Sequence, residues 1–292
     1  MKVLNFGSIN IDFVYSVPHI VRPGETLAST GLETFAGGKG ANQSIAMGKA
    51  GINVHHAGVI GKDGLWVLEQ MKASGVFTDY VRVYEGQTGN ALIQVSAEGQ
   101  NSIVLFGGGN QAIEQDDIDK TLSSFGGGDY LVLQNEINRI PEIMEKAASR
   151  GMRIFANPAP LDEKVKSWPL ELLDTLVVNE IEGQGLTGRT GSYEEVLDSL
   201  VRAYPSVKIL LTAGKDGAYY GFGQERLFVP IADAPVVDTT AAGDTFFGYF
   251  LASCIEGRSV KDAMERATRA SAITVSRPGA GESIPFAREL DD

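Results

Sequence analysis

The chain has 292 residues, 43% of them hydrophobic and 21% charged, the balance of a globular domain with ample length for a core rather than of a disordered or fibrous chain. A formal charge of −12 argues against a nucleic-acid-binding protein, which needs clustered Lys and Arg to displace counterions. A single cysteine, Cys254, excludes an internal disulfide and a cysteine-built zinc site; the opening residues carry neither a signal-peptide pattern nor a membrane-spanning run, so the expected location is the cytoplasm, with no membrane partner.

The first strand is predicted in KVLNFGSI. At the end of GSINID, Asn10 and Asp12 alternate with Ile9 and Ile11, and a period of two puts both polar groups on one face. That is the carboxyl end of a strand, where open α/β sheets bind ligands; a turn-capping role explains the same residues equally well. Next comes GGKGANQ, Gly37 to Gln43, ahead of a helix. The spacing is not that of a Walker P-loop, since Lys39 is followed by Gly40. Either its glycines only serve a tight turn while Lys39 and Asn42 face water, or the backbone approaches a ligand and those two side chains donate to hydroxyls.

After a strand in HHAGVIG and a helix in GLWVLEQMKASG, two strands follow, ALIQVSA and NSIVLF, joined by a turn at Glu98-Gly99-Gln100. Together with the non-helical stretch carrying Pro18, Pro23 and Gly24, they predict a small antiparallel sheet over segments 12–34 and 88–106. Such a sheet forms a lid over a cleft or an edge for dimerisation; a hairpin on the rim is the plainer alternative.

From DYLVLQ onward, buried-type strands (RIFANPAP, TLVVNE, KILLTAG) alternate with amphipathic helices (IPEIMEKAASRG, SYEEVLDSLVRAY). This is the pattern of βαβ units and a doubly wound, mostly parallel sheet. The strand ends supply Glu136, then Asn179 and Glu182 three apart, a carboxamide and a carboxylate suited to orient Mg²⁺ through water. Thr212, Gly214 and Gly217 offer a backbone that can lie flat along a nucleotide. In DTTAAGDTFFG the small residues Ala241, Ala242 and Gly243 enter a helix whose first turn holds Asp244. Unpaired N–H groups at such a start favour an anion. An acidic residue there is explained by the helix dipole alone, yet a base beside a phosphate site is also what transfer of phosphate to an alcohol requires. The acidic end, residues 286–292, is expected to be loosely held.

The segments GGKGANQSIAMGKAG and DTTAAGDTFFGYFLA, with GSINID, RPGET, VIGKDG, TGNALI, NPAP, NEIE, LTAGKDG and RPGAGESIP in the same order, resemble the PfkB family of carbohydrate kinases along nearly the whole chain. Within it they are most similar to the ribokinases. The resemblance implies a single ribokinase-like α/β domain over 1–292 that transfers the γ-phosphate of ATP to a sugar's primary hydroxyl, with D-ribose the first choice and fructose, another sugar or a nucleoside the alternatives. It implies Asp244 as catalytic base and Ala241, Ala242 and Gly243 as the anion hole. Asn10, Asp12, Gly38, Lys39, Asn42 and Glu136 match sugar-binding positions, Asn179 and Glu182 the pair near Mg²⁺, and Thr212, Gly214 and Gly217 the nucleotide strip. Asp238, Thr240, Thr274, Arg277, Gly279 and Ser283 match a loop that binds K⁺, largely through backbone carbonyls. A homodimer through the lid is implied as well. Asn90, Gly108 and Gly109 depart from the family pattern beside the lid, where sugar choice is partly made. A sugar-binding sensor without catalysis would be marked by a replaced base or a filled anion hole, and the sequence shows neither.

Overall fold

The computed structural model describes residues 1–290. In chain order its strands are β1 (Val3–Phe6), β2 (Asn10–Val17), β3 (Gly31–Gly37), β4 (Val54–Gly61), β5 (Val76–Tyr84), β6 (Gly89–Ser96), β7 (Asn101–Phe106), β8 (Tyr130–Gln134), β9 (Arg153–Asn157), β10 (Thr175–Asn179), β11 (Lys208–Thr212), β12 (Ala218–Phe222) and β13 (Glu225–Val229). The helices are α1 (Lys39–Lys49), α2 (Leu65–Ala73), α3 (Gln115–Leu122), α4 (Ile140–Ser149), α5 (Glu180–Thr187), α6 (Tyr193–Ala203), α7 (Ala242–Ile255) and α8 (Val260–Val275). Among the described residues no helix is long and apolar enough to cross a membrane.

The large sheet runs β13-β12-β11-β10-β9-β8-β1-β4-β5 and is parallel except for the hairpin β12–β13 at one edge. Its strands are apolar on both faces because both are covered, and successive residues feed two separate cores. Val132, Val177 and Leu210 join Phe247, Leu251 and Ala267 on the side of α1, α7 and α8. Leu131, Leu133, Leu176, Val178 and Leu211 join Ile118, Ile143 and Leu197 on the side of α3, α4 and α6. This is the two-sided burial that reads as continuous hydrophobic runs in sequence.

The second sheet, in the order β3-β2-β6-β7, stands off the first. It is the small sheet expected from the sequence, with one difference in pairing. The pairs β2–β3 and β6–β7 are antiparallel, whereas the central pair β2–β6 is parallel, because β2 and β6 both lead outward from the large sheet. Its strands reach further than the expected segments, β2 and β3 together spanning 10–37.

That extension corrects the placement of Asn10 and Asp12. The core strand ends at Phe6, and these residues open the lid strand β2 instead of closing β1. Gly7 makes the last ladder bond, to the carbonyl of Ala57. A Cβ on Gly7 would then lie 2.4 Å from Gln134 Oε1 and 2.8 Å from the Gly40 Cα, so the start of α1 crosses directly over the strand end and turns the chain away. The acidic end is also better held than its composition suggests: Glu289 accepts from Arg277 and from the Phe286 N–H, and Leu290 is buried. Residues 291 and 292 lie outside the described residues.

Candidate active site

Two helix starts meet at the carboxyl end of the large sheet, and they differ in what their N–H groups do. At α1, Gly38 precedes the helix with φ 90°, the left-handed region that favours glycine. Here the first donors are already taken: Lys39 N–H by Glu136, Gly40 N–H by Ser8 Oγ and Ala41 N–H by the Ser8 carbonyl. At α7, Ala241 stands before the helix in a left-handed conformation, φ 60°. The N–H groups of Gly243 and Asp244 have no partner among the described residues. A Cβ on Gly243 would meet nothing within 4 Å, so this start opens freely into a cavity of about 200 Å³.

That cavity brings together much of what the sequence singled out. Lys39, Asn179, Glu182, Thr212, Ala241, Ala242, Gly243 and Asp244 line it, with Asn157, Ala159, Thr239 and Phe247. A second cavity of about 350 Å³ lies under the lid, lined by Asn10 and Glu136 with Asn110, Gln111, Asn135, Lys164, Leu105 and Phe106. Asp12, Gly38, Asn42, Gly214 and Gly217 line neither cavity. Asn42 nevertheless donates to Asp244 and Asp12 feels the charge of Glu136, while Gly214 and Gly217 lie just past Thr212, on the turn into β12.

Asp244 is buried, and its carboxylate is held by two amides, Gln43 Nε2 at 3.0 Å from Oδ1 and Asn42 Nδ2 at 3.2 Å from Oδ2. A residue placed only to complement a helix dipole needs neither. Around it lie Lys39, Glu136 and Glu182. Lys39 is held above the usual ammonium range, first by Asp244, with Glu136 and Glu182 reinforcing it against the opposing effect of burial. No carboxylate among the described residues comes within ion-pair distance of that ammonium, which leaves it available to a ligand. Glu136 is pushed up by burial, against the hydroxyl of Ser8 and the charge of Lys39.

Three buried side-chain oxygens have no hydrogen-bond partner among the described residues, Asp12 Oδ1, Asn42 Oδ1 and Gln134 Oε1. Leaving a buried acceptor unpaired costs about 1–3 kcal/mol, and the first two belong to residues matched to sugar hydroxyls. Asp12 is pushed up to about 7, first by burial and then by the charges of Glu136 and Glu282.

Asn179 and Glu182 form a reciprocal capping box at the start of α5: Asn179 Oδ1 accepts from the Glu182 N–H at 2.8 Å, and Glu182 Oε2 accepts from the Asn179 N–H at 2.9 Å. The motif thus has a structural use, which leaves Glu182 Oε1 for the cavity it lines. In the candidate K⁺ loop, Asp238 stitches two segments together. Its Oδ1 accepts from the N–H and hydroxyl of Thr240, and its Oδ2 from the Gly279 N–H. The Thr274 hydroxyl donates to Ala270, Ser283 to Ala280, and Arg277 pairs with Glu289. With those side chains engaged, the oxygens left for a cation are mostly backbone carbonyls.

Several residues here carried no role in the sequence reading. Gln43 stands in the quoted segment GGKGANQ, but nothing in one dimension pointed it at Asp244. Asn110 binds Asn10 Oδ1 at 2.7 Å and the Ile9 N–H at 2.9 Å, and it explains the unusual glycines before it. Gly108 has φ 47°, and a Cβ on Gly109 would sit 2.2 Å from the Val59 carbonyl oxygen; the two let the chain press on β4 and deliver Asn110 to Asn10. Asn90 pairs with Ile11 and Phe106 inside the lid.

The model of the pfkB family carbohydrate kinases matches residues 1–287. A ribokinase of Staphylococcus aureus (strain COL) is 34% identical, over 99% of this chain and 98% of that protein. Among solved structures, ribokinase from Cryptococcus neoformans var. grubii serotype A in complex with ADP superposes with a TM-score of 0.88 at 36% identity, covering 99% of this chain and 98% of its own. Ribokinase of Arabidopsis thaliana, complexed with ribose and ATP, gives 0.88 at 28% identity over 99% and 97%.

Proposed function

Since the chain belongs to the pfkB family of carbohydrate kinases and is an ATP-dependent kinase, we propose that its acceptor is D-ribose and its product D-ribose 5-phosphate. The support for ribose is the full-length similarity to ribokinases, one of them described with ribose and ATP. The observation that carries the mechanism is the pairing of a buried carboxylate with free helix-start donors one residue away.

In this reading Asp244 takes the proton of the primary hydroxyl as that oxygen attacks the γ-phosphorus. The N–H groups of Gly243 and Asp244, with Ala241 and Ala242 shaping the turn, stabilise the charge on the transferring group. Lys39, free of ion pairs and lining the cavity at the α7 start, adds a positive charge to the same oxygens. Asn10, Asp12, Gly38, Asn42 and Glu136 hold the other hydroxyls, which satisfies the orphaned oxygens of Asp12 and Asn42. Thr212, Gly214 and Gly217 carry the nucleotide beyond Asn179. Magnesium takes its ligands chiefly from phosphates and water, so the single free oxygen of Glu182 fits it through a water; when bound it neutralises phosphate charge.

The K⁺ assignment rests on Asp238, Thr240, Thr274, Arg277, Gly279 and Ser283 gathered beside the α7 start, a position from which a cation would firm the anion hole. The apolar lid supports a homodimer, and the whole chain works as one domain, in the cytoplasm where MgATP is abundant. The test is ADP release with MgATP, K⁺ and a panel of ribose, deoxyribose, fructose and nucleosides, with the product identified by mass. Ribose-dependent ADP with formation of the 5-phosphate is expected. No acceptor-dependent ADP from any candidate overturns the reading.

A further inference from the structure

A run of buried side-chain amides leads from Asp244 into the protein interior, and its direction is fixed by groups that can only accept. His56 Nε2 faces the Gly7 carbonyl at 3.2 Å, so Nε2 carries the hydrogen. Burial pushes His56 down to about 4, so the ring is neutral and Nδ1 accepts from the Ser44 hydroxyl at 2.8 Å. Asn5 Nδ2 donates to Ser44 Oγ at 2.9 Å and to the Gly40 carbonyl at 2.8 Å. Its Oδ1 must therefore face Gln134, whose Nε2 donates to it at 3.0 Å and to Gln43 Oε1 at 2.7 Å. Gln43 is left with its NH₂ toward Asp244 Oδ1 at 3.0 Å. Asn157 agrees independently: its Nδ2 is spent on the Val177 carbonyl, so its Oδ1 also faces the Gln43 NH₂, at 3.4 Å.

We infer that Gln43 is the positioning residue for the catalytic carboxylate, an amide locked in one orientation by Gln134, Asn5, Ser44 and His56. This rests on the reading of Asp244 as the base. The two amides that hold Asp244 differ in freedom. Asn42 has an orphaned oxygen and is matched to a sugar hydroxyl, so its contact changes when sugar arrives. Gln43, Gln134, Asn5, Ser44 and His56 are all fully buried and line neither cavity. Gln43 therefore holds Oδ1 throughout the cycle and keeps Oδ2 turned toward the acceptor. A flipped Gln43 would set an amide oxygen against the carboxylate, and the anchored chain forbids that.

Two near-isosteric variants test it, with Asp244→Asn as the control on the base itself. In Gln43→Met the donor is gone. The expected result is a kcat lower by roughly ten- to a hundredfold, the effect of losing one hydrogen bond to a charged group, with sugar affinity by calorimetry changed by less than about threefold. The acid limb of the kcat profile moves to higher pH, because the charged carboxylate has lost a donor. In Gln43→Glu a protonated carboxyl can still donate to Oδ1, so activity recovers as pH falls, the opposite direction. The charged groups around Asp244 are Lys39, Glu136 and Glu182, none of which hydrogen-bonds to Gln43, so neither shift can be assigned to them. A near-normal kcat in Gln43→Met, or a parallel loss of kcat and sugar affinity, overturns the proposal. If Gln43→Met does not fold, a Gln43→Glu enzyme that gains nothing at low pH overturns it alone. An active Asp244→Asn enzyme would instead sink the assignment of the base.

Discussion

Asp12 is where a single residue most clearly sets stability against use. Its carboxyl is pushed up to about 7, against ~3.9 for an unfolded aspartate. Between those values the native state keeps a proton that the unfolded chain has lost, so stability falls as pH rises through the window and the whole cost is present above about 7. Asp12→Asn should remove that cost. The variant is expected to exceed the parent by a few kcal/mol above neutrality, at about 1.4 kcal/mol per pH unit of the window, with the difference vanishing near pH 4; urea midpoints across this range measure it. Sugar affinity should fall in the same protein, since the amide turns one of the two carboxylate acceptors into a donor. Gly243 gives the converse case. A side chain there meets nothing in the protein, so Gly243→Val should unfold within about 1 kcal/mol of the parent while kcat/KM for ATP drops by at least roughly tenfold as the anion hole fills.

Helices and strands bring these residues to one place, and at this scale the sequence was legible unevenly. Alternating apolar runs revealed the large sheet because both faces are buried, and the small residues before Asp244 announced a helix start. The boundary of β1 was not readable. Ile9 and Ile11 continue its apolar pattern, and only the crossing of α1 over Gly7 turns the chain into the lid. Gln43 was equally hidden, since its partner is 201 residues away and an amide among small residues has no periodic signature. The capping box of α5 shows a motif with two uses, and they can be separated. Asn179→Ala should destabilise the protein by about 1 kcal/mol, the usual loss for a helix cap, measured by thermal melting. Glu182→Gln should instead keep the melt close to the parent and raise the KM for MgATP. A KM unchanged in Glu182→Gln would leave the carboxylate with the cap alone.

Over the whole molecule, the lid is the surface least explained by a single copy. Ile103, Val104, Leu105 and Phe106 run along its edge strand β7, each more than half exposed, and Leu32 lies exposed on the opposite edge. An uncovered apolar edge of this kind invites pairing. Light scattering should give a mass twice that of the 31.2 kDa chain, and Val104→Lys with Leu105→Lys should return a monomer. The same strands meet the proposed sugar pocket at their other ends: β2 begins at Asn10, β3 ends at Gly37 and β6 begins at Gly89, all three in register. Contacts at the rim and contacts at the acceptor therefore bias one rigid sheet, and their free energies are linked. Whatever factor pairing adds to sugar affinity, sugar must add to pairing. An enzyme diluted below its dimer dissociation constant would then change its acceptor affinity with no change in any residue that touches the acceptor, and the cell's concentration of the protein would itself become a setting of its substrate response.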